Sequence, residues 1–158
     1  MSTLCVNNLT ECALSFLKEQ AKNINIAIVC SRFNDHITEP LLQSTMDRLL
    51  ALGVTEAQIN LTQVPGAIEI PLAAQKEARS KRFQAVIVLG AVIRGDTPHY
   101  DYVCQQVNAG CLRVSLDEHI PVIFGVLTTD NEAQASARVS HGVYYAESAI
   151  EMMAIMAR

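Results

Sequence analysis

The stretch GAVIRGDTPHYDYVC, residues 90–104, decides the fold. It follows the apolar run Ala85–Leu89, which predicts a short parallel strand buried on both faces. Gly95 and Pro98 then break the chain, and His99 opens a segment that reads as helix, running from about Asp101 to Asp117. Strand, loop and helix in this order make a βα unit. In an open α/β sheet, ligands gather at the carboxyl ends of the strands. A helix N-terminus adds unpaired N–H groups and a partial positive charge, which suit a phosphate. Arg94, Gly95, Asp96, Thr97 and His99 stand at that junction. The stretch by itself leaves two readings open: an anion site with a histidine beside it, or an ordinary βα turn holding an incidental His.

Working outward, residues 1–7 read as loose, and Asn8 with Glu11 resembles a capping box. Leu9, Ala13, Phe16 and Leu17 recur at helical spacing, which predicts a helix over Leu9–Gln20. Ile24–Cys30 is a β-branched run and the first strand. SRFN, residues 31–34, follows at its exit, where Phe33 is either a core plug or a stacking platform for a flat ligand. Thr38 is the expected N-cap of the next helix, with Glu39 and Pro40 in its first turn. Leu41, Leu42, Thr45, Leu49 and Leu52 form its buried stripe, and Gly53 ends it.

Ile59–Val64 is the second strand and runs into VPGAIEIP, residues 64–71. Gly66 lets backbone approach a ligand closely. Glu69 either holds a hydroxyl-bearing ligand or complements the dipole of the helix that starts near Ile70 and ends near Ser80. Pro121–Leu127 is a fourth strand, interrupted at Phe124 and Gly125, which turns Phe124 outward. Thr128, Thr129 and Asp130 cap a helix that contains Arg138, Gly142 makes a joint, and Tyr144–Met156 is the last helix. Its small apolar face is Ala146, Ala149, Ile150, Met153 and Ala157. Four βα units without hairpin signals predict a single α/β domain: a doubly wound parallel four-stranded sheet with helices on both faces. Residues 1–23 read as an N-terminal extension with a short helix, and 24–158 as the α/β domain.

Composition narrows the function classes. The chain has 158 residues, half of them hydrophobic and 18% charged, which is globular and long enough for a core. Its net charge of −4 and the lack of a basic, aromatic-interleaved cluster argue against nucleic acid or an anionic membrane as partner. It has no apolar run of membrane-spanning length and no signal-peptide pattern at its start, so a cytoplasmic location is expected. The five cysteines form no CxxC, and the four histidines, at 36, 99, 119 and 141, have no ligand spacing. Reduced structural thiols and no metal are the expectation.

Taken together, SRFN (31–34), VPGAIEIP (64–71), GAVIRGDTPHYDYVC (90–104), FGVLTTDNEAQA (124–135) and SAIEM (148–152) resemble the lumazine synthase family over roughly residues 24–157. The resemblance implies a flavodoxin-like fold. It also implies condensation of 5-amino-6-(ribitylamino)uracil with 3,4-dihydroxy-2-butanone 4-phosphate, the penultimate step of riboflavin biosynthesis, with no cofactor. Subunits in the family form pentamers or multiples of pentamers, with sites between neighbours. Carried over residue by residue, Phe33 would stack on the pyrimidine, and Ala67, Ile68 and Glu69 would hold the ribityl chain. Ala91, Val92 and Ile93 would line the pyrimidine pocket, Asp96 and Thr97 would bind phosphate through backbone N–H, and His99 would transfer the proton. Phe124 and Arg138 would come from the adjacent subunit, with Arg138 clamping the phosphate.

Two departures stand out against that resemblance. The link between Arg138 and Gly142 is short, and His141 falls where the family often has Lys. The segment before Lys22 reads as helix, where the family often has a strand that joins a neighbour's sheet. The rival readings are a non-catalytic flavin or lumazine binder and a shell-forming homologue on the same scaffold. Neither needs His99 together with Arg138.

Overall fold

The two most apolar runs of the chain lie side by side at the centre of the fold. In the computed structural model, which describes residues 9–158, β1 (Ile26–Ser31) and β3 (Ala85–Ile93) pair in parallel, with Ile26 opposite Ala85 and Cys30 opposite Leu89. All of β1 and the first seven residues of β3 are buried, as a strand covered on both faces requires. β2 (Ile59–Val64) and β4 (Val122–Thr129) take the edges, giving the all-parallel order β2-β1-β3-β4. β2 carries polar residues and is largely part-exposed, as an edge permits.

The direction of the crossovers sorts the helices. The chain steps from β1 to β2 in one direction, then returns past β1 to β3 and on to β4. Right-handed crossovers therefore send α2 (Asp35–Ala51) to one face, and α3 (Ile70–Arg79) and α4 (His99–Glu118) to the other. Strand side chains alternate accordingly. Ile26, Ile28, Cys30, Ile87 and Leu89 form one core with α2, α6 (Gly142–Met156) and α1 (Glu11–Gln20). Ala27, Val29, Val86 and Val88 form the other core with α3 and α4. This is the flavodoxin-like, doubly wound α/β arrangement expected from the sequence.

Several boundaries differ from the sequence reading, each for a local reason. Residues 1–7, the Asn8 cap and Cys5 lie outside the described residues. Thr10 caps α1, accepting from the Ala13 N–H at 3.2 Å. Helix α2 starts a turn before Thr38, because Asn34 takes a left-handed conformation (φ 63°) that a short polar side chain tolerates. Thr38 is thereby buried and Pro40 lies inside the helix. Leu41, Thr45 and Leu49 form the buried stripe, with Leu42 and Leu52 half-buried at its edges. Strand β3 continues to Ile93, because β4 pairs with it as far as Ile93 opposite Thr129. Thr128 and Thr129 accordingly finish β4 and do not cap the next helix. Asn131 caps it, accepting from the Gln134 N–H at 2.9 Å. That helix, α5 (Glu132–Ser136), ends before Arg138, which occupies the turn beyond it. At the end of α6, Ala154 is buried and Ala157 is exposed past the last turn, because the helix ends at Met156.

The seam between α2 and α6 sets where the chain beyond β4 can go. Arg48 of α2 and Glu147 of α6 pair at 2.8 Å, with side chains 14% and 7% exposed. Gly142, at the first turn of α6, faces Ser44 and Thr45 so closely that a Cβ there would lie 2.5 Å from the Thr45 nitrogen. Ser44 Oγ at the same point donates to Val139 O at 2.6 Å. Gly142→Ala should therefore destabilise the fold by about 1–3 kcal/mol through overpacking, read as a lowered Tm in thermal unfolding. Gly95→Ala is the control. Nothing lies within 4 Å of its Cβ position, so its Tm should stay at the wild-type value.

Candidate active site

A doubly wound sheet opens where its chain direction reverses, here between the carboxyl ends of β1 and β3. Three loops rise there, after β1, β2 and β3. A cavity of about 380 Å³ lies between them, lined by Phe33, Asn34, Gly66, Ala67, Ile68, Glu69, Ala91, Val92, Ile93, Gly95, Thr97, His99, Tyr100 and Val103. A larger cavity of about 740 Å³ lies at the opposite, amino ends of the strands, under α1 and the end of α6. It holds none of these residues.

Two ties fix the first loop. The Arg32 N–H donates to Val64 O at 2.8 Å and the Phe33 N–H to Pro65 O at 3.0 Å, which continues the β1–β2 ladder past its last strand residues. Asn34 Nδ2 donates to Ala91 O at 2.9 Å, binding the same loop to β3. The Phe33 ring is 70% exposed. It is therefore not the core plug, and its flat face is available at the cavity wall.

The second loop is closed by its own acid. Glu69 Oε2 accepts from the Gly66 N–H at 3.0 Å across the tight helical turn Ala67–Glu69, which leads directly into α3. The dipole and ligand readings of Glu69 share this arrangement, since the carboxylate lies at a helix start and on the cavity. Beneath it, Gly90 is the close-packed point of the floor. A Cβ there would lie 2.9 Å from Ser31 Oγ and 3.2 Å from the Ile70 methyl.

The third loop, Gly95–Pro98, is exposed throughout and ends on His99, the first residue of α4. The His99 N–H donates to Thr97 Oγ1 at 3.3 Å. The positive end of α4 thus lies beside a loop rich in free backbone N–H groups, an arrangement suited to an anion. Tyr100 follows His99 in α4 and lines the same cavity. Its phenol is raised above the ordinary range, chiefly by burial, and its ring lies 4.3 Å beneath the Arg94 guanidinium.

Among the residues singled out from the sequence, the chain gathers Phe33, Ala67, Ile68, Glu69, Ala91, Val92, Ile93, Thr97 and His99 around this one cavity. Asp96 lies in the third loop but does not line it. Phe124 stands on the edge strand β4 over Cys111 and Leu112 of α4, and Arg138 lies beyond α5, exposed, with Nη1 donating to Gln134 O at 2.8 Å. His141 neighbours Arg138. Burial and then the Arg138 charge hold its imidazole below the usual range. Asn34, Tyr100 and Val103 line the cavity without having been singled out. An Asn between a strand exit and a helix was a usable signal for Asn34, since Asn tolerates the left-handed turn. Tyr100 and Val103 gave none beyond helical spacing.

Among the described residues, no three His, Cys, Asp or Glu side chains converge in a way that could hold a metal, and no helix is long and apolar enough to cross a membrane. Burial pushes the Cys30 thiol up to about 11 and Cys111 up to about 12, which keeps both protonated and unreactive.

The sequence is similar to known proteins. Residues 23–157 match the family described as 6,7-dimethyl-8-ribityllumazine synthase. Proteins of that name from two Coxiella burnetii strains, CbuG_Q212 and RSA 493 / Nine Mile phase I, are each 50% identical over 139 residues. That match covers 85% of this chain and 92% of theirs. The counterpart from strain Dugway 5J108-111 is 48% identical over the same length. By that match over most of its length, the chain belongs to the 6,7-dimethyl-8-ribityllumazine synthase family.

Proposed function

We propose that the protein is a transferase that condenses 5-amino-6-(ribitylamino)uracil with 3,4-dihydroxy-2-butanone 4-phosphate. The products are 6,7-dimethyl-8-ribityllumazine, phosphate and water. The observation that carries this reading is the convergence of Phe33, the Ala67–Glu69 turn, the Ala91–Ile93 strand end and His99, from three separate βα loops, on one cavity. Family membership supports it. A flat pyrimidine fits between the exposed Phe33 ring and the backbone of Ala91–Ile93. The polyol chain has Glu69 and the backbone of Ala67 and Ile68 to hold it, and the phosphate has the N–H groups at Asp96 and Thr97.

The chemistry accounts for these residue types. The pyrimidine amine attacks the ketone and loses water to give an imine. Phosphate then leaves by elimination, which needs a proton removed from carbon. The enol left behind rearranges to a ketone, and the ribitylamino nitrogen attacks it and expels a second water, which closes the ring. Histidine suits such transfers near neutrality, which is the role given to His99. Orientation of two bound substrates supplies much of the remaining acceleration. No cofactor takes part.

The site is shared between neighbouring subunits of a pentamer, or of a multiple of pentamers, in the cytoplasm. What supports sharing is that Phe124 and Arg138 lie exposed and away from their own chain's cavity. In a ring, each chain offers them to the next. Arg138 then presents a planar fork to a phosphate whose charge grows as it leaves. Mixing the purified protein with both substrates and following product fluorescence together with phosphate release tests the reaction. An assembled protein that forms no product would overturn it.

Three variants test the assigned roles. His99→Ala should lower turnover by about 10- to 1000-fold while leaving orientation intact, and turnover unchanged at every pH would remove His99 from the mechanism. Arg138→Ala should weaken the phosphate substrate far more than the pyrimidine, by about 1.5–3 kcal/mol for one lost charge-assisted bond. Equal weakening of the two would count against it. The third test mixes a variant lacking the Phe33 ring with one lacking Arg138, unfolds both and refolds them together. About a quarter of the interfaces in a head-to-tail ring would then hold both intact residues. Activity should recover toward that fraction, whereas a mixed but inactive assembly would show that the site is not shared.

A further inference from the structure

Among the described residues, loop 95–98 has no side-chain anchor beyond the long bond from the His99 N–H to Thr97 Oγ1. The residue just before it spans it. The Arg94 backbone N–H donates to Thr129 O at 2.9 Å, carrying the β3–β4 ladder past Ile93. Its guanidinium donates from Nε to Asp130 Oδ1 at 3.0 Å and reaches Asp101 Oδ1 from Nη1 at 3.5 Å. The same group stacks 4.3 Å from the Tyr100 ring centroid. One side chain therefore joins the start of the loop to the first turn of α4 after it and to the exit of β4 beside it. The ties continue beyond Asp130. Its N–H donates to Gln134 Oε1 at 2.8 Å, and Gln134 O accepts from Arg138 Nη1 at 2.8 Å. The phosphate loop and Arg138 hang on a single connected set of bonds.

We infer that Arg94 is a positioning residue for the phosphate-bearing substrate, holding loop 95–98 at its own chain's site and, through Asp130 and Gln134, the Arg138 that the same chain presents to the neighbouring subunit's site. The inference rests on the function proposed above. An isolated exposed ion pair contributes little, and the Arg94 side chain is 46% exposed. Here the planar group makes a fork and a stack at once, which fixes direction as well as charge, and lysine cannot reproduce that combination.

Steady-state kinetics on the assembled protein, varying each substrate in turn, test this. Arg94→Ala should raise the KM of the phosphate-bearing ketone about five- to tenfold. The KM of the pyrimidine and kcat should stay within about twofold. Arg94→Lys should restore part of the loss, since it keeps the charge and loses the fork. Asp130→Asn should raise the same KM by less, and the double variant should match Arg94→Ala and not the product of the two, because both changes cut one network. If Arg94→Ala does not assemble, Asp130→Asn alone is read by the same KM split. An unchanged ketone KM, or an equal rise for both substrates, overturns the inference while the wild type still turns over. A wild type without turnover overturns the proposed function and this inference with it.

Discussion

The reversal of chain direction between β1 and β3 is the constraint on which the rest of the molecule depends. Right-handed crossovers that leave a strand pair in opposite directions must lie on opposite faces of the sheet. The helices that follow β1 and β3 therefore diverge, and no helix closes the gap at the carboxyl ends of those strands. The cavity is what remains of that divergence. Its walls come from loops far apart in sequence, yet each loop begins at a strand end whose position the parallel ladder has already set.

The ladders also continue into the loops. Arg32 and Phe33 keep pairing with Val64 and Pro65 after the last strand residue, and Arg94 keeps pairing with Thr129. The exposed groups at the site, above all Phe33, are thus set on backbone as regular as the sheet itself. Sites built in this way hold their geometry better than free loops do. The opposite face supplies the stiffness behind them. There, α6 lies on α2 through the buried Arg48–Glu147 pair and the bare backbone of Gly142. α1 is fastened to α6 in turn, with Thr10 Oγ1 donating to Glu151 Oε2 at 2.8 Å and Ala13 and Leu17 buried in the shared core.

The site is open and largely uncharged within one chain. Its one acid, Glu69, already holds a backbone N–H, and its histidine stands at the rim. Charge is concentrated outside the cavity, at Arg94 with Asp101 and Asp130, and at Arg138. An anion drawn to such a site meets helix N–H groups first and cationic side chains at the margin.

What the sequence determined by itself is whatever depends on local pattern. The continuous runs IAIVC and AVIVL can be buried only at the centre of a parallel sheet, and the Gly- and Pro-bearing stretches after β2 and β3 mark where the loops turn. Those features made the four parallel strands and the helices on both faces legible, and the motif residues pointed to the family. Tertiary structure decided what depends on partners distant in sequence. Strand β3 reaches Ile93 because β4 is there to pair with it. Helix α2 begins at Asp35 because the Asn34 side chain finds Ala91 O across the crevice. α5 starts only after Asn131 because Thr128 and Thr129 belong to the sheet. The Arg94–Asp130 tie spans 36 positions of sequence. No periodicity announces such a pair, because its two ends become neighbours only after two strands have been laid side by side.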